Sequence, residues 1–336
     1  MTTLNTPAAD AVSSVADGTF GELPTKILQH ASGARAEILV RGATVLSWQA
    51  PWHGRTEHLI DGYDDDVDFA TQRGGRSAVL FPFANRLRDN RYTFDGTTHE
   101  VGLQFPVDKE VIHGSARMAD WTVVEESASA ERVSVTFAFS IRPDDVPGYP
   151  FALDATLRFE LTATSLDLLL TYRNVGETDA PVAAGWHPYF QVPGHTSIDT
   201  LSLRVPARAA IVTDETLVPL PGDAAYAPMD DDLVHETLDG VVYDHAWDRL
   251  ELDEDGRART LLTDPTTGEG VAVWQERGTL LVFTGDVLSR PRRSAAIEPL
   301  ETMTDAFNRS EREADVRVRV GEEKTFAFGA EVVLNG

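Results

Sequence analysis

The sequence predicts an all-β fold, a large antiparallel two-sheet β-sandwich with few short helical turns. Three observations predict it. Apolar and polar residues alternate with a period of two over several runs, the pattern of strands with one buried face. Turn dipeptides punctuate the chain: Asp-Gly at 95–96, 239–240 and 255–256, Pro-Gly at 147–148, 193–194 and 221–222, Thr-Gly at 267–268. No long segment carries the 3.6-residue period of an amphipathic helix.

The strands follow in order. LVRGATVLSW (39–48) opens the series. Val133, Val135, Phe137, Phe139 and Ile141 alternate with small polar residues, as do Leu153, Ala155, Leu157, Phe159 and Leu161, then Leu166, Leu168, Leu170 and Tyr172. VAVW (271–274) and LLVFTG (280–285) add two more. VRVRV (316–320) and TFAFGAEVVL (325–334) read as a closing hairpin around Gly321, Glu322 and Glu323. Short helical turns are expected near 214–217, 229–237 and 299–307. Residues 1–17 are small and polar and read as a disordered arm. Residues 18–336 read as one domain, since no linker-like stretch or internal repeat divides them. The long acidic loop 223–240 is a candidate border of a functional cleft.

Composition excludes several function classes. The chain has 336 residues, 42% of them hydrophobic, enough for a large core. Its formal net charge is −25. So acidic a surface repels phosphate backbones and anionic lipid, which argues against nucleic-acid and membrane-surface roles. There is no cysteine, hence no disulfide, thiolate metal site or cysteine nucleophile. The N-terminal stretch has neither a basic nor an apolar region of a signal peptide, and no apolar run is long enough to span a membrane. A soluble cytoplasmic protein, monomer or homodimer, is expected.

Two titratable residues each stand directly before a proline. His187 lies in GWHPYF, flanked by Trp186 and Tyr189, and Glu298 lies in AAIEPLETMTDAFN. A proline restricts the backbone of the residue before it. Trp and Tyr offer an apolar face and a polar tip, which suits the C–H face of a pyranose. The plainer alternatives are a packed aromatic corner for His187 and a salt-bridged strand end for Glu298, with Arg292 or Arg293 as partner. His113 in VIHGSAR is a second histidine in a constrained setting. Asn85 and Arg86 leave an apolar run, and an arginine fork there can hold a polyol or a carboxylate. Asp244 in VYDHAWD stands between apolar residues, where Asp often caps a turn. Asp305 and Asn308 read most simply as caps.

Taken in order, ANRLRDNRYTFDG, VIHG with Trp121, GWHPYF, VYDHAW, TDPTTGEGVAVW with LLVFTGD, and IEPLETMTDAFN resemble the aldose 1-epimerase (galactose mutarotase) family over roughly residues 70–308. The resemblance implies a galactose mutarotase-like β-supersandwich with a monosaccharide in an open cleft. It implies Glu298 as general base and His187 as general acid, His113 as a second site histidine, and Arg86 and Asp244 as sugar contacts; Asn85, Trp186 and Tyr189, beside these positions, are further candidates for binding the aldose. It implies no metal and no cofactor. The chain departs from the family pattern at Ser115, at Gln191-Val192 and at Leu300, beside the proposed pair rather than on it, which bears on sugar specificity.

Other readings stay open at this stage. A glycoside hydrolase would need a carboxylate pair, for which Glu298 and Asp244 are the candidates. A sugar-binding module would keep the aromatics and Arg86 without needing Glu298. A zinc site from His113, His187 and Glu298 has suitable ligand types but no metal-binding spacing. A hexose-6-phosphate mutarotase would need arginines for the phosphate; Arg117 in HGSAR is the leading one, with Arg73, Arg76, Arg290, Arg292 and Arg293 as others. The acidic balance and the ANR, HPYF and DAFN pieces favour an unphosphorylated aldose.

Overall fold

A computed structural model describes residues 12–103, 105 and 110–335. Three antiparallel sheets hold most of the strand residues. A nine-stranded sheet runs in the order Leu233–His235, Ser202–Val205, Ala258–Thr263, Gly270–Gln275, Glu323–Val333, Ser165–Asn174, Leu153–Leu161, Val133–Ile141, Thr122–Ala128. A second sheet carries the cleft described below. It runs Tyr226–Pro228, Ala207–Ile211, Asp244–Leu250, Thr279–Phe283, Ala295–Leu300, Gly185–His187, Ala78–Leu80, with Tyr189–Phe190 also pairing with Ala295–Leu300. A five-stranded meander, Ser14–Phe20 through Arg55–His58, completes the set.

The alternating runs form strands for the predicted reason. Val133 pairs with Leu161 and Phe137 with Leu157, and Leu157 in turn pairs with Leu170. All of these are buried, so one face of three adjacent strands is continuous core. That core is shared with the second sheet: Trp186 is fully buried and packs against Phe328 of the central strand of the nine-stranded sheet and against Phe190. Among the described residues no helix is long and apolar enough to cross a membrane.

Several expectations are corrected. The C-terminal segments do not form a hairpin with each other. Arg317–Val318 pairs with Ala180–Pro181, and Glu323–Val333 runs between Ser165–Asn174 and Gly270–Gln275 as a central strand. Alternation announces a strand but does not choose its partner. Of the expected helical turns, only the last has a helical counterpart, a 3-10 turn at Ala306–Asn308; 214–217 is a turn and 229–237 contains the strand Leu233–His235. A short α-helix forms instead at Asp66–Thr71, where the Asp65 carboxylate accepts from the Asp68 N–H at 2.7 Å and caps it. The acidic segment 223–240 supplies edge strands to both large sheets and lines no part of the cleft. Of the arm expected at 1–17, residues 1–11 lie outside the described residues and Ser14–Asp17 belong to the first strand.

The loop carrying His113 is fixed by close main-chain approach. Gly114 sits at φ +65°, and a Cβ there would lie 2.3 Å from the Phe81 carbonyl oxygen. The Ser115 N–H donates to that same oxygen at 2.9 Å. Gly114→Ala is therefore expected to destabilise the protein by at least ~1–2 kcal/mol, from the left-handed backbone alone, before the clash is counted. A denaturation midpoint within experimental error of the parent protein would contradict this packing.

Candidate active site

Strand register builds the site. Gly185 pairs with Leu300 and Tyr189 with Ala296, so His187, midway between, lies opposite Glu298. The two pre-proline residues singled out by the sequence are thus cross-strand neighbours. Glu298 pairs on its other side with Leu281, which faces Ala246. One row along, Asp244, Phe283, Ala296 and Tyr189 lie opposite one another in turn. Because side chains alternate, both rows point to the same face of the sheet. That face floors a cleft of about 430 Å³ lined by Gln72, Gly74, Gly75, Asn85, Arg86 and others.

The structure brings together Glu298, His187, His113, Arg86, Asn85, Asp244, Tyr189 and Arg117 at this cleft. Trp186 is the exception. It was expected to face the sugar, but as the strand neighbour of His187 it points to the opposite face and is core. Reading along the chain groups the aromatics of WHPYF together; the pleat separates them.

His187 Nε2 lies 3.2 Å from Glu298 Oε1, with side chains 8% and 1% exposed. Burial disfavours charge on both. It holds the Glu298 carboxyl well above the usual carboxylate range, reinforced by the Asp244 charge and opposed by Arg86. It pulls His187 down to about 4, a contact with its own main chain acting the other way and the Arg76 cation acting the same way. Both shifts favour the uncharged forms, a protonated carboxyl beside a neutral imidazole.

His113 is oriented by the Asn85 loop. The Asn85 N–H donates to His113 Nδ1 at 3.3 Å, and the His113 N–H donates to the Asn85 carbonyl at 3.1 Å. The His113 imidazole therefore carries its proton on Nε2. Burial first, then His187, Arg117 and Arg86, hold it neutral, well below the ordinary histidine range. The two imidazoles meet edge to face at 5.4 Å between ring centroids.

Asn85 occupies the left-handed region at φ +58°, which Asn tolerates, and turns Arg86 toward the cleft. Arg86 is held by Glu110, through Nε at 3.1 Å and Nη2 at 3.3 Å, and by Asn85 Oδ1 at 3.1 Å from Nη1. Asp305 stands at the N-cap position of the Ala306–Asn308 turn, but its side chain makes no capping bond there. The Asp305 N–H donates to the Arg86 carbonyl at 3.0 Å, and its carboxylate accepts from the Arg88 N–H at 2.8 Å. Asn308 donates to Asp305 at 2.6 Å and to the Arg91 carbonyl at 2.8 Å. This brace fixes the loop from below. Asp244 is pushed up by burial, with Arg86 opposing.

Of the arginines considered for a phosphate, Arg117 alone lines the cleft; it donates to Gln72 Oε1 at 3.2 Å and lies over the Phe105 ring. Arg76 pairs with buried Asp61, Arg290 with Asp61 and Asp64, and Arg292 with Asp199 and Asp286. Arg73 and Arg293 lie outside the lining. Sequence reasoning missed Gln72, Glu110, Ile112, Phe283, Val287 and Leu288, which line the cleft from loops and strand ends without any periodic signal. Among the described residues no group of three or more His, Asp or Glu is arranged to hold a metal ion.

The profile of the aldose 1-epimerase family matches residues 25–329. The chain is 26% identical over 231 residues to an uncharacterized protein, YihR, of Escherichia coli strain K12, covering 68% of this chain and 71% of that one. It is 28% identical over 200 residues to the aldose 1-epimerase of the same organism, covering 58% of this chain and 56% of that enzyme. The fold is shared with a galactose mutarotase-like protein from Clostridium acetobutylicum, at a TM-score of 0.80 and 16% identity, over 96% of this chain and 99% of that one. It is shared likewise with the galactose 1-epimerase of Lactobacillus acidophilus, at a TM-score of 0.77 and 16% identity, over 96% and 99% of the two chains. With a family match across most of its length and the same galactose mutarotase-like architecture, the chain belongs to the aldose 1-epimerase family.

Proposed function

We propose that this protein interconverts the α and β anomers of a free, unphosphorylated aldose, with Glu298 and His187 exchanging protons with the sugar. The observation that carries this reading is the buried pair at 3.2 Å on the cleft floor. In the opening step Glu298 takes the proton of the C1 hydroxyl and His187 Nε2 gives one to the ring oxygen O5. The C1–O5 bond breaks with its electron pair going to O5, and C1 becomes an aldehyde. Rotation about C1–C2 and the reverse transfers close the other anomer. The chemistry needs no covalent intermediate and no hydride.

The resting pair already holds the proton required. Neutral Glu298 with neutral His187, and ionised Glu298 with imidazolium, contain the same number of protons. Sugar hydroxyls that solvate the carboxylate need only move a proton within the site, not draw one from water. In this reading the His113 Nε2–H donates to a sugar oxygen while Arg86 and Asp244 hold hydroxyls. The lining offers no excess of positive charge: two arginines, Arg86 and Arg117, face three carboxyl groups, Glu110, Asp244 and Glu298. That suits an uncharged polyol better than a phosphate dianion. A soluble, cytoplasmic role in carbohydrate metabolism is part of the same reading.

Glu298→Gln and His187→Asn should each slow anomer exchange by at least ~10²-fold in a folded protein. Near-parental turnover in either variant, measured by proton exchange spectroscopy, would sink the assignment. The profile of kcat/KM against pH should be bell-shaped. Below about 4 His187 is protonated alongside the protonated carboxyl, and no base remains. Above the raised Glu298 midpoint the pair loses its only proton, and no acid remains. A rate that already falls as the pH drops through the ordinary histidine range would contradict the proposed roles. Glucose or galactose should be turned over with higher kcat/KM than glucose 6-phosphate, and a chromogenic glycoside should remain intact. A marked preference for the phosphate ester that Arg117→Ala abolishes, or enzymatic release of the aglycone, would overturn the substrate class.

A further inference from the structure

The His187 imidazole lacks the usual support for a proton-transferring histidine, a hydrogen bond from its far nitrogen to a carboxylate or carbonyl of another residue. Among the described residues its buried Nδ1 has no hydrogen-bonding partner beyond its own main chain. The ring is held by packing instead. Tyr189 stacks on it at 5.2 Å between centroids, with the planes 18° apart. The Tyr189 ring is pinned at its tip, where the hydroxyl donates to the Gly74 carbonyl at 2.7 Å. The Arg76 guanidinium also lies over the Tyr189 ring, 4.9 Å from its centroid. Arg76 is 3% exposed and anchored by Asp61: Nη1 donates to Asp61 Oδ2 at 2.9 Å and to the Asp61 carbonyl at 3.0 Å. Asp61 is fixed in turn by the Ser294 hydroxyl at 2.8 Å and by Arg290 at 3.2 Å. Gly75 closes another side, since a Cβ there would lie 3.4 Å from His187 Cδ2.

We propose that Arg76, anchored by Asp61 and acting through the Tyr189 ring, is a positioning residue that holds the His187 imidazole in place opposite Glu298. The proposal rests on the acid–base role given to His187 above. Burying an arginine–aspartate pair is expensive unless every donor is used, and a surface stack would orient a tyrosine without it. Here the cation is placed behind the reacting imidazole, where it opposes protonation. The other groups facing His187 are Glu298 across the strand pair and His113 edge-on. Arg86 and Asp244 act on Glu298, and Arg86 and Arg117 on His113; Arg76 is not among the groups acting on either.

The test combines a site-resolved NMR titration of the His187 imidazole with kinetics. In Arg76→Gln the cation is gone, so the His187 midpoint should rise above about 4, and the acid limb of kcat/KM should move to higher pH with it. A loosened ring should also cost ~10-fold or more in kcat, with little change in KM. Arg76→Lys keeps the charge and should leave the midpoint near the parental value. Tyr189→Leu should lose both kcat and the ring-current shift on the His187 protons, whereas Tyr189→Phe should keep the stack. If leaving Asp61 unpaired prevents Arg76→Gln from folding, the double variant Asp61→Asn with Arg76→Gln should show the same upward shift. A folded Arg76→Gln or double variant with parental midpoint and parental kcat would overturn the proposal. The titration needs no turnover, so it reads the positioning claim even if His187→Asn were to remain active and the catalytic assignment failed.

Discussion

The site depends on burying a carboxyl group directly across a strand pair from an imidazole. An isolated carboxylate or imidazolium buried this deeply would cost several kcal/mol. A neutral carboxyl beside a neutral imidazole avoids most of that penalty. The pair is affordable because the sheet that holds it is secured elsewhere, by the apolar face that Trp186, Phe190 and Phe328 share with the nine-stranded sheet. The same strand that puts Trp186 into that core puts His187 into the cleft, so packing on one face fixes chemistry on the other.

The remaining walls are loops held by main-chain geometry. Asn85 and His113 exchange hydrogen bonds across their loops, and Asp305 ties the Arg86 segment to the chain beyond Glu298. Asn85 at φ +58°, His113 at φ +66° and Asp305 at φ +62° are left-handed where these segments turn into the site. Short polar side chains tolerate that backbone region better than others. The cations and carboxylates around the opening nearly offset one another, although the molecule as a whole is strongly acidic. Local pairing, not net charge, sets the field a ligand meets.

Much of this was legible in the sequence, for identifiable reasons. The runs at 133–141, 153–161 and 165–174 announce strands because one face of each is buried and the other is not. His187 and Glu298 stood out as titratable residues before prolines in apolar settings, and register makes them neighbours. What alternation cannot give is the partner of a strand. Arg317–Val318 and Glu323–Val333 are adjacent in sequence yet pair with different segments, because contacts between distant segments decide the sheet order. Nor does proximity in sequence mean a shared face, as Trp186 shows. Asp305 looked like a cap because capping is local; its carboxylate instead serves the N–H of Arg88, more than two hundred residues away in sequence. The cleft residues Gln72, Glu110 and Val287 lie on irregular segments that carry no pattern to read.

The central claim is that burial keeps the Glu298 carboxyl protonated beyond the usual carboxylate range while its imidazole neighbour stays neutral. Isotope-edited infrared spectroscopy of the sugar-free protein, with glutamate carboxyl groups labelled, tests it most directly. A protonated-carboxyl band that persists above the pH at which ordinary glutamates ionise, and that disappears in Glu298→Gln, is the predicted result. A spectrum in which every glutamate, Glu298 included, is fully ionised once the pH passes the ordinary carboxylate range would contradict it.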